Sequence, residues 1–193
     1  MIYSNFIEHL GECIHNGLWT YDPVNVPLVK DNLRLNGVRQ DVIKAVKELK
    51  PTIIRAFGGC YSDVYHWKDA IGSRENRKIV KNKYWGTGIR RFIPALGPKI
   101  DNQFGTDEFL TFCEVVGSEP YLNVNYSTGT PQEAADWVEY CNGSENTEYG
   151  ALRVKNGRKN PYSQWCRKGE KPLMSKMVLS VDDLRLIVEN LGI

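Results

Sequence analysis

Between Pro51 and the pair Gly58-Gly59 lies the run Thr52-Ile53-Ile54-Arg55-Ala56-Phe57, β-branched and apolar except for one arginine. A run of this length and composition, stopped by two glycines, reads as a buried strand. What precedes it has a different period. From Gly37 to Lys50, the residues Val38, Val42, Ile43, Val46 and Leu49 recur on one helical face, with Lys44, Lys47, Glu48 and Lys50 mostly off it. That spacing predicts an amphipathic helix. Pro51 ends it, because a proline ring cannot continue the backbone hydrogen bonding. A helix feeding a covered strand is the unit from which parallel sheets are built.

The alternation continues along the chain. Residues 2–6 read as a short strand. Thr106 is placed to cap a helix, with Asp107 and Glu108 in its first turn, where negative charge suits the helix dipole. Phe109, Phe112, Cys113 and Val116 form its apolar stripe, and Gly117 stops it. Pro120–Tyr126 reads as a second strand. Thr130-Pro131-Gln132-Glu133 is a capping box with proline at the first helical position, followed by Ala134, Trp137, Val138 and Cys141 on one face. A last helix is expected over Ser180–Leu191, and a long connection without clear period spans Cys60 to about Gln103. The fold class is therefore α/β with a parallel sheet. In such folds functional groups gather at the carboxyl ends of the strands. That directs attention to Glu8-His9, Gly58–Asp63 and Asn123–Thr130.

Several function classes are disfavoured. The net charge of +2 removes the strongest argument for a nucleic acid partner or an anionic membrane. No window approaches 18 consecutive apolar residues, and the first residues have no basic and apolar signal pattern, so a cytoplasmic protein without membrane contact is expected. Five widely spaced cysteines, with no C-x-x-C pair, read as free thiols of a reducing compartment. No cofactor is expected. Gly86-Thr87-Gly88 lacks the third glycine of a dinucleotide fingerprint, and there is no Walker A motif. His9, Cys13 and His15 have no standard zinc spacing. Residues 153–176 hold eight Lys and Arg against one acid, Glu170, which reads as a solvated basic segment or a basic interaction module.

Arg55 is the most informative single residue. A guanidinium inside an apolar strand must be satisfied, either by an ion pair with a neighbouring strand or by a polar ligand at the sheet edge. Glu8 follows a short apolar strand; it is either an exposed helix-start carboxylate or an acceptor for sugar hydroxyls. Trp19, Trp67 and Trp85 fall outside predicted helices, as sugar platforms or as loop packing. Asn123, Asn125, Ser127 and Thr128 are ligand hydrogen-bonders or turn formers.

Five motifs occur in one order: Ile7-Glu8-His9-Leu10-Gly11, Arg55-Ala56-Phe57-Gly58-Gly59-Cys60, Tyr65-His66-Trp67-Lys68-Asp69, Asn102–Phe109 and Gly129–Ala134. This succession resembles the N-terminal part of the α-L-arabinofuranosidases of glycoside hydrolase family 51. The resemblance covers residues 1–162, as the N-terminal portion of a TIM-barrel glycosidase domain, with 163–193 a divergent tail ending in a helix. It implies a partial (β/α)8 barrel, the first three or so β/α units. A complete barrel needs about 250 residues, and this chain has 193. It implies a retaining glycosidase that releases terminal arabinofuranosyl residues from arabinan or arabinoxylan oligosaccharides. Arabinose-containing oligosaccharides are thus the expected partner, and homo-oligomers are possible in the full-length family. By motif match, Glu8 and Arg55 contact the arabinose ring, Cys60 lines the same subsite, and Trp67 and Trp85 fall in the loop regions that frame it; Asn125, read above as a ligand hydrogen-bonder, completes the expected substrate-binding set.

Retaining hydrolysis needs two carboxyl groups, an acid/base and a nucleophile. The family places the first in a Gly-Asn-Glu strand end soon after the segment matching Asn160-Pro161-Tyr162. Here Ser163-Gln164-Trp165-Cys166 follows and no Gly-Asn-Glu occurs. The nucleophile belongs to a later strand. The expectation is therefore a truncated arabinofuranosidase, carrying part of the sugar subsite and inactive on its own. A non-catalytic arabinose-binding remnant is the alternative.

Overall fold

The computed structural model describes residues 4–21, 24–85 and 98–162. They fall in two compact units, Met1–Asn123 and Val124–Ile193. The helix expected over Ser180–Leu191 and most of the basic segment lie outside the described residues. The first unit runs β1 (Ser4–Phe6), α1 (Gln40–Leu49), β2 (Ile53–Ala56), β3 (Val80–Lys81), β4 (Lys99–Ile100), α2 (Thr106–Val116) and β5 (Glu119–Leu122). The second holds α3 (Pro131–Asn142) and α4 (Glu148–Lys155).

β1, β2 and β5 form a parallel sheet in that order. Phe6 pairs with Arg55, and Arg55 with Tyr121, in register. In-register residues of parallel strands share a face, so these three line one side of the sheet. Ile54 and Ala56 point to the other side, toward the helices, and are buried. Among the described residues only this side is covered: Ile53 and Arg55 are half-buried and all of β1 is exposed. Strands covered on both faces, as the apolar run at 52–57 predicts, are thus realised on one face.

α1 is shorter than the spacing predicts. Val38 sits in the preceding loop, bridged to Trp19, and Lys50 closes the helix in the left-handed conformation at φ 51°. Of the stripe residues within the helix Ile43 alone is buried, and Leu49, expected inward, is 67% exposed. Val42 and Val46 border an open hollow of about 380 Å³, shared with Ile7, Leu18, Ile54 and Phe112. The stripe is real, but the described residues supply too little apolar surface to cover it.

α2 matches its predicted stripe, with Phe109, Phe112, Cys113 and Val116 buried and Gly117 left-handed at φ 79°. Its cap is Gly105 rather than Thr106, and the Glu108 carboxylate accepts from the Gly105 N–H at 3.0 Å. Asp107 and Glu108 are buried. They answer arginines as well as the helix dipole: Asp107 pairs with Arg34 at 3.1 Å, and Glu108 takes a two-pronged pair of bonds from Arg77 at 2.9 Å each. The core beside α2 is aromatic. Phe57 stacks on Tyr65 with centroids 4.4 Å apart and meets Phe109 edge-on at 5.6 Å.

The connection from Cys60 to Gln103 holds three short 3₁₀ turns, at 60–64, 67–70 and 74–76, and the antiparallel pair β3–β4. Elements of two to five residues leave no readable period, which is why the sequence shows only a loop there. In the second unit, Thr130 caps α3 by accepting from the Glu133 N–H at 3.1 Å. α4 has no expectation behind it, although Thr147 caps it in the same way, accepting from the Gly150 N–H at 3.2 Å. Arg153 of α4 is fully buried, and its guanidinium donates to the carbonyls of Tyr140, Arg158 and Lys159. The first cation of the basic segment therefore fastens this unit's own backbone. No helix among the described residues is long and apolar enough to cross a membrane.

Candidate functional site

The site is built at the carboxyl ends of β1, β2 and β5. β1 delivers Glu8, which is only 4% exposed. Its Oε1 accepts three hydrogen bonds: from the Gly59 N–H at 3.2 Å, the Tyr61 N–H at 2.9 Å and the Trp85 indole Nε1–H at 3.1 Å. A buried carboxylate requires such donors, since an unpaired one costs several kcal/mol, on the order of its desolvation. Two of the three come from the turn after β2. That turn passes close to Glu8 because Gly58 has φ +108° and no side chain; a Cβ there would stand 2.6 Å from Glu8 Cγ. Oε2 of Glu8 has no partner among the described residues.

Arg55 lies on the same edge. Its guanidinium carbon sits 5.0 Å from the Phe6 ring centroid, a cation–π contact. Its Nε is buried without a hydrogen-bond partner, and among the described residues it joins no ion pair. The inter-strand ion pair left open by the sequence is not found among the described strands. β5 delivers Asn123, whose Nδ2 donates to the Gly58 carbonyl at 2.6 Å while its buried Oδ1 has no partner. One edge thus carries a donor and two acceptors not used by other atoms of the described residues. That is the equipment for holding hydroxyl groups, each of which both donates and accepts.

His9 follows Glu8 and closes the site from behind. It is 3% exposed, stacks on His15 at 5.4 Å and meets Tyr61 edge-on at 4.7 Å, and neither ring nitrogen has a partner. Burial, with a smaller push from His15, lowers its pKa to about 3, so it is a neutral wall at ordinary pH. No group of three or more metal-ligating side chains occurs among the described residues.

The remaining sequence candidates fall out differently. Cys60 is an exposed free thiol directly after Gly59. Trp85 reaches Glu8 as described. Trp67 is 1% exposed in the turn at 67–70, with the Lys68 ammonium 5.5 Å from its ring; it packs inside and offers no open face. Asn125 lies in the second unit. Its Oδ1 accepts from the Thr128 and Gly129 N–H groups at 2.9 Å each, an Asx-type turn that shapes the loop before α3. His66 stands just before the Trp67 turn, outside this set. Two participants carried no sequence signal as site residues: the backbone N–H groups of Gly59 and Tyr61, which no side-chain pattern reveals, and Asn82. The Asn82 carboxamide is 1% exposed and joins His9 to the Trp85 segment. Its only local mark is the turn preference of an asparagine just before Tyr84-Trp85.

The known proteins that this chain is similar to agree with one another. Residues 45–166 match the model of the α-L-arabinofuranosidase 1 domain. The chain is 48% identical over 162 residues to α-L-arabinofuranosidase C of Emericella nidulans, covering 84% of this chain and 29% of that protein. It is 43% identical over 157 residues to an intracellular exo-α-L-arabinofuranosidase of Bacteroides ovatus, of which it covers 27%. The solved α-L-arabinofuranosidase of Thermotoga maritima, in complex with arabinose, superposes with a TM-score of 0.71 at 40% identity, over 83% of this chain and 30% of that one. A GH51 arabinofuranosidase from Xanthomonas axonopodis pv. citri gives 0.72 at 34% identity. The chain spans under a third of the length of these relatives. With most of its length matched by the family model, this chain belongs to the α-L-arabinofuranosidase 1 domain family.

Proposed function

We propose that this chain carries the amino-terminal part of the arabinofuranosyl subsite of a retaining α-L-arabinofuranosidase, on the first three β/α units of a TIM barrel. Glu8 Oε2 accepts from a ring hydroxyl, Arg55 donates to a ring or hydroxyl oxygen, and Trp85 walls the pocket beside Glu8. The observation that carries this reading is the asymmetry of Glu8. One oxygen accepts from three protein donors, while the other, unpartnered among the described residues, is left for a ligand beside an arginine that joins no ion pair among them.

Binding and chemistry are separate matters here. Hydrolysis with retention needs an acid/base and a nucleophilic carboxylate about 5–5.5 Å apart. Glu8 is committed by Oε1 to the backbone of the β2 turn, which suits a binding role rather than displacement at carbon. The sequence has no Gly-Asn-Glu motif. The 193-residue chain by itself is therefore expected to bind arabinose-containing oligosaccharides without cleaving them.

Titration calorimetry with L-arabinose, together with an aryl α-L-arabinofuranoside assay, tests both halves. Binding that is lost in Glu8→Gln and in Arg55→Ala, with no turnover, is the expected result. Absence of binding by the unaltered chain overturns the subsite, and turnover abolished by Arg55→Ala overturns the separation of binding from chemistry.

A further inference from the structure

Asn82 lies 73 residues from His9 in sequence, yet its side chain ties the Glu8 segment to the Trp85 segment. Nδ2 donates to the His9 carbonyl at 2.6 Å. Oδ1 accepts from the backbone N–H groups of Tyr84 at 3.0 Å and Trp85 at 2.9 Å. The backbone N–H of Asn82 is itself held by the Pro98 carbonyl at 2.8 Å, so the carboxamide projects from a fixed base beside β3. Trp85 then closes the circuit by donating from its indole to Glu8 Oε1 at 3.1 Å. The circuit runs from the Glu8-His9 backbone through the Asn82 carboxamide and Trp85 back to the Glu8 side chain.

We infer that Asn82 is a positioning residue, whose carboxamide sets the Trp85 indole against Glu8, so that the indole supplies the third donor to Oε1 and walls the side of the carboxylate where the ligand is bound. Its chemistry is demanding. The His9 carbonyl can only accept and the Tyr84 and Trp85 N–H groups can only donate, so the position needs one donor and one double acceptor on the same carbon. Among the short side chains a carboxamide meets this, and the partners fix its orientation without ambiguity. An aspartate keeps the acceptor and loses the donor. An alanine loses both and takes the partner from one buried carbonyl and two part-buried N–H groups. Without the tie, the indole leaves Oε1, which keeps only the Gly59 and Tyr61 N–H donors, and the wall beside Glu8 opens.

The binding part of this inference rests on the subsite reading above; the placement of the indole does not. The test therefore has two arms, on the unaltered chain, Asn82→Ala and Asn82→Asp. In the first arm, the indole Nε1–H resonances are recorded by NMR, with the Trp85 signal identified by its loss in Trp85→Phe. Asn82→Ala is expected to move the Trp85 signal to the position of a solvent-exposed indole and speed its exchange, while the signals of buried Trp19, Trp67 and Trp137 stay in place. In the second arm, L-arabinose is titrated by calorimetry, and Asn82→Ala is expected to weaken binding about tenfold, the effect of one lost hydrogen bond. A Trp85 signal unmoved in Asn82→Ala overturns the inference. So does collapse of all indole signals in both Asn82 variants, which would make Asn82 a general determinant of folding. If the unaltered chain binds no arabinose, the subsite reading fails while the indole arm still decides the role of Asn82.

Discussion

The Gly58 α-carbon faces Glu8 so closely that a methyl group on it would stand 2.6 Å from Cγ and 2.8 Å from Oε1. The backbone there also has φ +108°, outside the range that residues with a side chain adopt. The two constraints coincide: the turn is left-handed so that its next N–H groups, from Gly59 and Tyr61, reach Oε1. Gly58→Ala is therefore expected to destabilise the first unit by about 1–3 kcal/mol and to push Glu8 out of its cradle. Urea unfolding gives the first quantity and arabinose titration the second. Unchanged affinity in a folded Gly58→Ala chain would show that the cradle does not hold the ligand.

Arg77 and Glu108 form a buried two-pronged pair, each side chain no more than 3% exposed. The same guanidinium donates to the carbonyls of Gly72, Asn102 and Gln103, so one side chain fastens the 3₁₀ region to the start of α2. Arg77→Leu leaves Glu108 with Arg74 and the Gly105 N–H only. Removing one partner of a buried pair costs about 3–5 kcal/mol, and the surviving Arg74 contact puts the expectation at the lower end. Adding Glu108→Leu to Arg77→Leu should recover part of the loss, because no buried carboxylate is then left without Arg77, and Arg74, more exposed, keeps the oxygens of Asn36, Leu33 and Arg34. Denaturation curves of the two variants check this; equal instability of both would mean that the arginine's carbonyl contacts dominate.

The parts of the fold legible in the sequence are those with a period. Phe109, Phe112, Cys113 and Val116 mark α2, the apolar run at 52–57 marks β2 but not which of its faces is covered, and Thr130-Pro131 marks the start of α3. Leu49 was misplaced because helical spacing says which face is apolar but not whether anything covers it. At the site, Glu8 and Arg55 were legible as charges next to apolar runs. The cradle was not, because its donors are main-chain N–H groups that every residue has. Asn82 stayed hidden for a related reason: its three partners are backbone groups, and nothing in their side chains announces the contact. Trp67 shows the converse limit, since a loop tryptophan next to a family motif can still face inward.

Thr130 holds the first turn of α3 through one bond, its Oγ1 accepting from the Glu133 N–H at 3.1 Å. Thr130→Ala removes that acceptor and is expected to cost about 1 kcal/mol, with Thr130→Ser close to neutral. The effect should be local. Amide exchange of Glu133 and Ala134 should quicken while that of α2 stays as it was. Equal exchange at Glu133 in both variants would assign the start of α3 to Pro131 at the first helical position instead.

His9 makes the first unit sensitive to mild acid. Its pKa falls from 6.5 to about 3 in the folded chain, through burial first and His15 second. The unfolded chain therefore takes up a proton below pH 6.5 that the folded chain refuses. Stability from this group is complete above pH 6.5 and falls as the pH drops, by about 1.4 kcal/mol per unit until the folded pKa is reached. At pH 5 the loss is roughly 2 kcal/mol from His9 alone. His15, also lowered by burial although Asp101 opposes the shift, adds in the same direction. His9→Phe keeps an aromatic ring among Phe57, Tyr61 and Tyr65 and removes the titrating group. Its stability should change less between pH 7 and pH 5 than that of the unaltered chain. Parallel pH profiles of the two, by urea unfolding over this range, would exclude His9 as the source.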